Sequence, residues 1–190
     1  VEVLPIVQEE LQHHARGCYT SITFVKRMNR VCEEALLAAE SWALVTHKLT
    51  GSPGPQEEIE RAWHQVLFNQ FHDIMAGTSI PAAYDDTEGQ LEEALRRADT
   101  IQNESLDAIA YRIDTSGEAQ AVVIFNSLPW ARRALIECEL GSPQEAHYDY
   151  VAVDAEGRRA ACNVEVTGEV PLQPWRKLSF VADLPALGYA

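Results

Sequence analysis

Residues 22–43 read ITFVKRMNRVCEEALLAAESWA, and this stretch predicts the helical part of the fold. Its apolar residues recur at the spacing of one face of an α-helix. They are Val25, Met28, Cys32, Ala35, Leu36, Ala39 and Trp42. Charged side chains between them, such as Arg30 and Glu33, supply a polar face. We therefore expect an amphipathic helix, with Thr20 or Ser21 as its N-cap.

Two further helices should follow a break at residues 50–55, where TGSPGP cannot sustain helical hydrogen bonding. The second should run from about Pro55 to Gly77, and its apolar stripe is Ile59, Trp63, Val66, Leu67 and Phe71. The third should start with Ser79 as cap and Pro81 in the first turn, weaken at Gly89 and continue towards Ile113. Its stripe is Leu91, Ala94, Leu95, Ala98, Ile101, Leu106, Ile109 and Ile113. Three such helices predict a bundle.

The pattern changes to β after residue 117. Short apolar or alternating runs at residues 121–125, 135–140, 148–153, 162–166 and 178–181 predict strands, and residues 154–157 (DAEG) predict a hairpin connection. The expected fold class is α+β, a three-helix bundle followed by a partial antiparallel β-sandwich. We predict two domains, residues 1–116 and residues 117–190.

The charge and cysteine content narrow the possible partners and setting. The formal net charge is −14, from 15 Lys and Arg against 29 Asp and Glu, which argues against binding to nucleic acid or an anionic membrane. The four cysteines show no CxxC spacing, so we expect reduced thiols and a cytoplasmic setting.

The most unusual segment is QFHDIMAGT, residues 70–78, which places polar groups at the end of an otherwise apolar helix. Neutral imidazole is a common zinc ligand, and the carboxylate of Asp73 could orient His72 or bind substrate hydroxyls. From the residues alone a structural interpretation is favoured. A histidine near a helix C-terminus interacts well with the helix dipole, and an aspartate can cap the next turn.

No other group of residues forms a catalytic set in the sequence. The adjacent His13 and His14 point in different directions in a helix or strand, and His64 lies too far along the second helix to share a metal with His72. Carboxylates adjacent in sequence do not face each other across a substrate, as the two carboxyl groups of a glycosidase must. We expect no catalytic residue in the chain.

Four segments resemble glycoside hydrolase family 38 α-mannosidases, in the order in which that family carries them. QFHDIMAGT resembles the zinc-binding stretch, and ELQHHARGCYTS at residues 10–21 resembles the start of the middle domain. FNSLPW at residues 125–130 and LPALGY at residues 184–189 resemble strands of the C-terminal β-domain. Golgi and lysosomal members carry Trp where Ala15 stands, so the resemblance implies the bacterial and cytosolic branch.

The resemblance implies a zinc-dependent retaining enzyme acting on α-mannosides, with Zn²⁺ as cofactor. It implies that His72 is a zinc ligand and that Asp73 binds hydroxyls of the mannosyl ring, with Tyr19 lining the same cleft. The nucleophile and the other zinc ligands would lie in an N-terminal α/β domain. Since the chain begins at Val1 rather than Met and stops at Ala190 without a terminal helix, we expect an interior fragment. It should be inactive alone, because it would lack the nucleophile and a complete metal site.

Two alternatives to this enzyme remain open at this stage. The chain could be a non-catalytic helical and β module that binds a partner or a carbohydrate. It could also belong to a degenerate homologue that has lost the catalytic aspartate. The sequence encoded upstream of Val1 would separate them from the enzyme, because an H-x-D pair and a later catalytic Asp should stand there.

Overall fold

The computed structural model describes residues 6, 8–9, 17–117, 120–141, 150–167 and 175–190, with only the backbone at residues 140–141, 166–167 and 175–176. The chain divides into two compact units, Val1–Tyr111 and Arg112–Ala190. The assignment of residues 1–116 and 117–190 to two family domains stays a prediction. Within the described ranges, none of the helices combines the length and apolar character that crossing a membrane requires.

The helical unit is built on long helices. Its helices are α1 (Thr23–Thr50), α2 (Gln56–Asn69), α3 (His72–Ala76) and α4 (Pro81–Ala110), and a 3₁₀ turn at Cys18–Thr20 precedes them. With 28 and 30 residues, α1 and α4 are each more than 40 Å long at about 1.5 Å per residue. The third helix, α3, has only five residues.

Contacts between side chains fix the directions of the long helices. The Cys32 thiol donates to the Leu91 carbonyl and the Thr46 hydroxyl to the Ser105 carbonyl, and both contacts span 59 residues. A constant separation means that α1 and α4 run parallel. Helix α2 runs opposite to both: Gln70, just past its end, contacts Glu33 of α1, whereas Trp63, earlier in α2, contacts Glu40.

The core lies along the seam between these helices and contains many small side chains. Its buried members are Cys32, Leu36, Ala39, Ala43, Ile59, Ala62, Val66, Leu91, Ala94, Ala98 and Ile101. Alanines on all three long helices let the backbones approach closely, and the larger leucine, isoleucine and valine side chains fill the space between them. The predicted apolar stripe of α1 is confirmed, since Val25, Leu36 and Trp42 are buried.

The ends of α1 differ from the expected ones. Its N-cap residue is Ile22, at φ 47°, and no side chain caps the helix. The predicted cap Ser21 instead donates its hydroxyl to the Cys18 carbonyl at 2.6 Å, inside the preceding turn. At the other end α1 continues to Thr50, beyond its apolar stripe, because only Gly51, at φ 73°, turns the chain away.

The second predicted helix is divided into α2 and α3, so the predicted apolar stripe is wrong at its C-terminal end. Helix α2 ends at Asn69, and the backbone of Phe71 is extended (φ −53°, ψ 137°) before α3 begins. Leu67 and Phe71 are more than half exposed rather than part of the core. Asn69 is buried instead, and its amide donates to the Gln65 carbonyl and the Gln90 side chain.

The third predicted helix is α4, which ends at Ala110 rather than near Ile113 and runs unbroken through Gly89. Pro81 stands in the first turn as expected. Ser79 is not the cap, because Ile80 occupies that position and no side chain caps the helix. The buried stripe contains Leu91, Ala94, Ala98, Ile101 and Ile109, joined by Thr87 and Ser105.

The second unit consists of antiparallel strands in small sheets. The strands are β1 (Phe125–Asn126), β2 (Arg132–Gly141), β3 (Val151–Val153), β4 (Arg159–Ala161), β5 (Asn163–Thr167), β6 (Trp175–Leu184) and β7 (Gly188–Tyr189). In the described part of the chain they pair as β1–β7, β2–β6–β5 and β3–β4. The predicted α+β class is confirmed.

Each predicted strand overlaps a strand of the structure, but the bounds differ. The expected strand at residues 121–125 is reduced to β1, although Ile124 and Ala190 still exchange both backbone hydrogen bonds beside it. The predicted hairpin joins β3 to β4: Asp154 accepts from the Arg158 amide at 2.8 Å, and Gly157 takes φ 81°. Residues 148–149 of the third predicted strand lie outside the described residues.

A buried asparagine joins the two segments that resemble β-domain strands. Asn126 is 0% exposed, and its amide donates to the carbonyls of Trp130 (3.0 Å) and Pro185 (2.6 Å). Its side-chain oxygen accepts from the Leu128 amide and from Arg132 Nε. One buried side chain thus makes four hydrogen bonds, which satisfy both its amide and its oxygen.

Replacement of Asn126 by alanine should destabilise the β unit by about 1–3 kcal/mol, because the buried side chain that makes these four hydrogen bonds would be lost. Native-state hydrogen exchange at the Leu187 and Ala190 amides measures that loss, since both bond to the Leu128–Ile124 side of this turn. The control is Asn103→Ala on the exposed face of α4. Equal protection in the two variants would contradict the role of Asn126.

The buried thiol in the helical core should resist alkylation. Burial, with help from the charges of Asp99 and Glu33, raises the pKa of Cys32 to about 11. Only the thiolate reacts, and near pH 8 about one thiol in a thousand would be ionised at that pKa. Iodoacetamide labelling of the native protein, read by mass spectrometry, should leave Cys32 unmodified after half-buried Cys18 has reacted. Equal labelling rates would show that Cys32 is accessible.

Candidate functional site

His72 and Asp73 are the first two residues of α3, and both side chains face solvent. The side chain of His72 is 76% exposed and that of Asp73 is 50% exposed. His72 Nε2 lies 3.5 Å from Asp73 Oδ1, at the outer limit of hydrogen bonding. The nitrogen and the oxygen therefore converge on the same side of the helix.

The position of the pair corrects the structural interpretation of His72. That interpretation placed the imidazole at a helix C-terminus, where a positive charge is favoured. His72 lies at the N-terminal end of a new helix, where the dipole favours the carboxylate of Asp73 instead. A dipole contact therefore gives no reason for a histidine at this position.

An exposed aromatic ring accompanies the imidazole. The ring centroids of Phe71 and His72 are 4.3 Å apart, with the rings tilted by 52°. Phe71 was expected inside the bundle, but the extended backbone at this residue turns its side chain outward. Its contact restricts the rotamers that the imidazole can adopt.

The link between α2 and α3 is tied to α1 through polar side chains. Gln70 donates its amide to Asn29 Oδ1 at 3.1 Å and to Glu33 Oε1 at 3.0 Å. The Asn29 amide donates to the same Glu33 oxygen at 3.0 Å. The sequence assigned Glu33 only to a solvent-facing surface, whereas its carboxylate joins α1 to the residue two places before His72.

The far end of α3 packs against the turn that carries Tyr19. The Ser21 hydroxyl lies 3.4 Å from the Ala76 carbonyl, and Gly77 ends α3 at φ 79°. A Cβ atom on Gly77 would overlap the Ser21 hydroxyl and come within 3.2 Å of the Cys18 carbonyl. The 3₁₀ turn is thus next to the helix of His72 and Asp73, and Tyr19 on that turn is exposed.

A third set of contacts connects the segment to α4. The Tyr84 hydroxyl donates to the Asp73 carbonyl at 3.2 Å and accepts from the Ser79 amide at 3.1 Å. The Thr78 hydroxyl lies 3.2 Å from Asp73 Oδ1. Tyr84 could not be singled out from the sequence, since a tyrosine in the first turn of an amphipathic helix looks like any partly buried aromatic residue.

The other candidate residues do not join this site. His64 is exposed on α2, and His13 and His14 lie outside the described residues. Among the residues that the structure describes, no group of three or more His, Cys, Asp or Glu side chains could hold a metal ion. Within the described part of the chain, His72 and Asp73 are thus not joined by a third side chain of these types.

Comparison with known proteins identifies the family. Residues 13–109 match the family model described as the alpha mannosidase middle domain, which covers α1 to α4. The chain belongs to the glycoside hydrolase family 38 α-mannosidases. The resemblance in the sequence is thereby confirmed, and the site at His72 lies inside the matched domain.

Individual relatives agree with the family. The chain is 27% identical to mouse alpha-mannosidase 2C1 over 134 residues, 69% of this chain and 12% of that protein. It is 35% identical to alpha-mannosidase G of Dictyostelium discoideum over 95 residues, 50% of this chain and 9% of that protein. The chain thus spans a small part of these relatives.

The fold of both units is shared with a solved structure. A protein in glycosyl hydrolase family 38 from Enterococcus faecalis superposes with a TM-score of 0.67 at 21% identity, and the match covers 90% of this chain and 24% of that one. Because the match covers 90% of the chain, it includes strands of the β unit as well as the helices.

Substitution of Gly77 should separate backbone strain from packing of the 3₁₀ turn against α3. Gly77→Ala and Gly51→Ala both place a Cβ at a positive φ, 79° and 73°, and each should cost about 1–2 kcal/mol for that reason. Only Gly77→Ala also meets Ser21, because nothing lies within 4 Å at Gly51. Urea unfolding should therefore show the larger loss for Gly77→Ala, and Ser21→Ala should recover part of it. Equal losses of unfolding free energy in the two variants would show that the turn moves away from the new Cβ at no cost.

Proposed function

We propose that the protein carrying this chain is a zinc-dependent retaining α-mannosidase that hydrolyses terminal α-mannosidic bonds. Membership of the family supports the reaction class. The observation that carries the assignment to this region is the His72–Asp73 pair, with a nitrogen and a carboxylate oxygen 3.5 Å apart and both exposed on α3.

The chemistry of the pair suits one protein ligand of a zinc site and a neighbouring group that binds substrate. Imidazole nitrogen is a preferred zinc ligand, and a catalytic zinc ion takes three protein ligands and leaves one position for water or substrate. His72 would supply one of the three, and Asp73 would bind substrate hydroxyls beside it. Bound zinc would supply Lewis-acid polarisation of a sugar hydroxyl.

The remaining parts of the active site belong, in this proposal, to another domain of the same protein. A retaining glycosidase needs two carboxyl groups about 5 Å apart, one of them the nucleophile. We place that nucleophile and the other zinc ligands in an N-terminal α/β domain. The chain of 190 residues would then contribute one ligand and part of the cleft, including Tyr19, and would be inactive alone.

The expected setting of the enzyme is cytoplasmic. The four cysteines stand free, with Cys32 buried and Cys18, Cys138 and Cys162 half-buried. Reduced thiols of this kind are usual in a reducing compartment. The substrate class is an α-mannoside, and the net charge of −14 argues against nucleic acid as a partner.

The test removes the imidazole in the full-length protein. The wild type should hold about one zinc ion per chain and hydrolyse a chromogenic α-mannoside, and His72→Ala should lose both because the metal loses a ligand. His64→Ala, on the exposed face of α2, is the matched control and should keep both. Metal content by plasma emission and initial rates measure the two properties.

Full zinc content and full activity in His72→Ala would remove this residue from the metal site. Wild-type protein without zinc and without mannosidase activity would favour the alternative, a module that binds a partner or a carbohydrate without cleaving it.

A further inference from the structure

The short helix α3 has a defined end that depends on the Asp73 carbonyl. Two backbone hydrogen bonds close the helix, from Thr78 N–H to the Asp73 carbonyl at 3.0 Å and from Gly77 N–H to the Ile74 carbonyl at 3.1 Å. This is a Schellman motif with glycine in the left-handed position. Asp73 therefore belongs to the exposed pair, and its backbone carbonyl also anchors the end of the helix.

Tyr84 holds this segment at two points with one hydroxyl group. The phenol donates to the Asp73 carbonyl at 3.2 Å and accepts from the Ser79 amide at 3.1 Å, so it bridges both ends of residues 73–79. Tyr84 lies in α4, one turn before buried Thr87 and two turns before buried Leu91. Its position is thus fixed by the core of the bundle.

Thr78 acts on the carboxylate of the same residue. Its hydroxyl has one proton and lies 3.2 Å from Asp73 Oδ1 and 3.4 Å from the Asp73 carbonyl. A charged acceptor binds a hydroxyl proton more strongly than a neutral one, so the carboxylate is the favoured partner. The same oxygen, Oδ1, lies 3.5 Å from His72 Nε2.

We propose that Tyr84 and Thr78 are positioning residues for the His72–Asp73 pair, Tyr84 through the backbone and Thr78 through the carboxylate. The inference rests on the proposed function, since the pair is positioned for zinc and a mannoside. A helix of five residues is unstable in isolation, so α3 cannot by itself hold the exposed pair in one geometry. The geometry that a metal and a substrate require must come from neighbouring groups.

The experiment measures zinc affinity of the full-length protein by competition with a chromogenic chelator. Tyr84→Phe and Thr78→Val should each raise the zinc dissociation constant about tenfold, as loss of a supporting hydrogen bond does in metal sites. Thr78→Ser keeps the hydroxyl and should restore the wild-type affinity. Tyr111→Phe, at an exposed tyrosine just past α4, is the control for loss of a phenol hydroxyl.

Steady-state rates separate positioning from general loss of stability. Tyr84→Phe and Thr78→Val should each lower kcat for a chromogenic α-mannoside by about tenfold. Their thermal unfolding midpoints should stay close to that of Tyr111→Phe. Unchanged zinc affinity and kcat in Tyr84→Phe would overturn the role of Tyr84. Failure of Thr78→Ser to recover what Thr78→Val loses would overturn the role of the Thr78 hydroxyl.

Hydrogen exchange distinguishes failure of this inference from failure of the proposed function. In Tyr84→Phe, the amide of Ser79 loses its acceptor, so residues 74–79 should exchange faster than in Tyr111→Phe whether or not zinc is bound. Faster exchange in a protein that never holds zinc would sink the proposed enzyme and leave Tyr84 as the anchor of the segment. Unchanged exchange would overturn the anchor itself.

Discussion

The parallel packing of α1 against α4, with α2 running between them in the opposite direction, is the constraint on which the candidate site depends. This arrangement brings the start of α1, the end of α2 and the start of α4 to one end of the bundle. The short connection from Asn69 to Pro81 must reverse the chain there. Each group that contacts the segment around His72 comes from that end: Ser21, Asn29, Gln70 and Tyr84.

The site is exposed, and its support comes from the longer elements around it. A helix of five residues makes too few hydrogen bonds to stand alone, and its stability comes from contacts with longer elements. Gln70 hydrogen-bonds to Glu33 of α1, and Tyr84 of α4 hydrogen-bonds to the Asp73 carbonyl in α3. Gly77 allows the Cys18–Thr20 turn to pack against the end of α3. His72 and Asp73 thereby stay exposed at the surface, and neither has to fill the core.

Much of the bundle could be predicted from the sequence, because burial of an apolar face imposes a helical period. The stripe of α1, the break at residues 50–55 and proline at the start of α4 are all visible in this way. The end of α2 was not visible. Phe71 continues the apolar spacing, and only the extended backbone at that residue removes it from the stripe. Local spacing does not report where a helix must stop so that the chain can turn back.

The amino-acid sequence alone was enough to predict the α+β class, the order of helices and strands, and the motif around His72 that resembles the family. These follow from periodicity and from residues that are adjacent in the chain. Only the folded structure shows that His72 starts a helix rather than ending one, and that Tyr84 and Glu33 contact its segment. The physical reason is that these contacts depend on the directions in which long helices pack, and no short stretch of sequence encodes those directions.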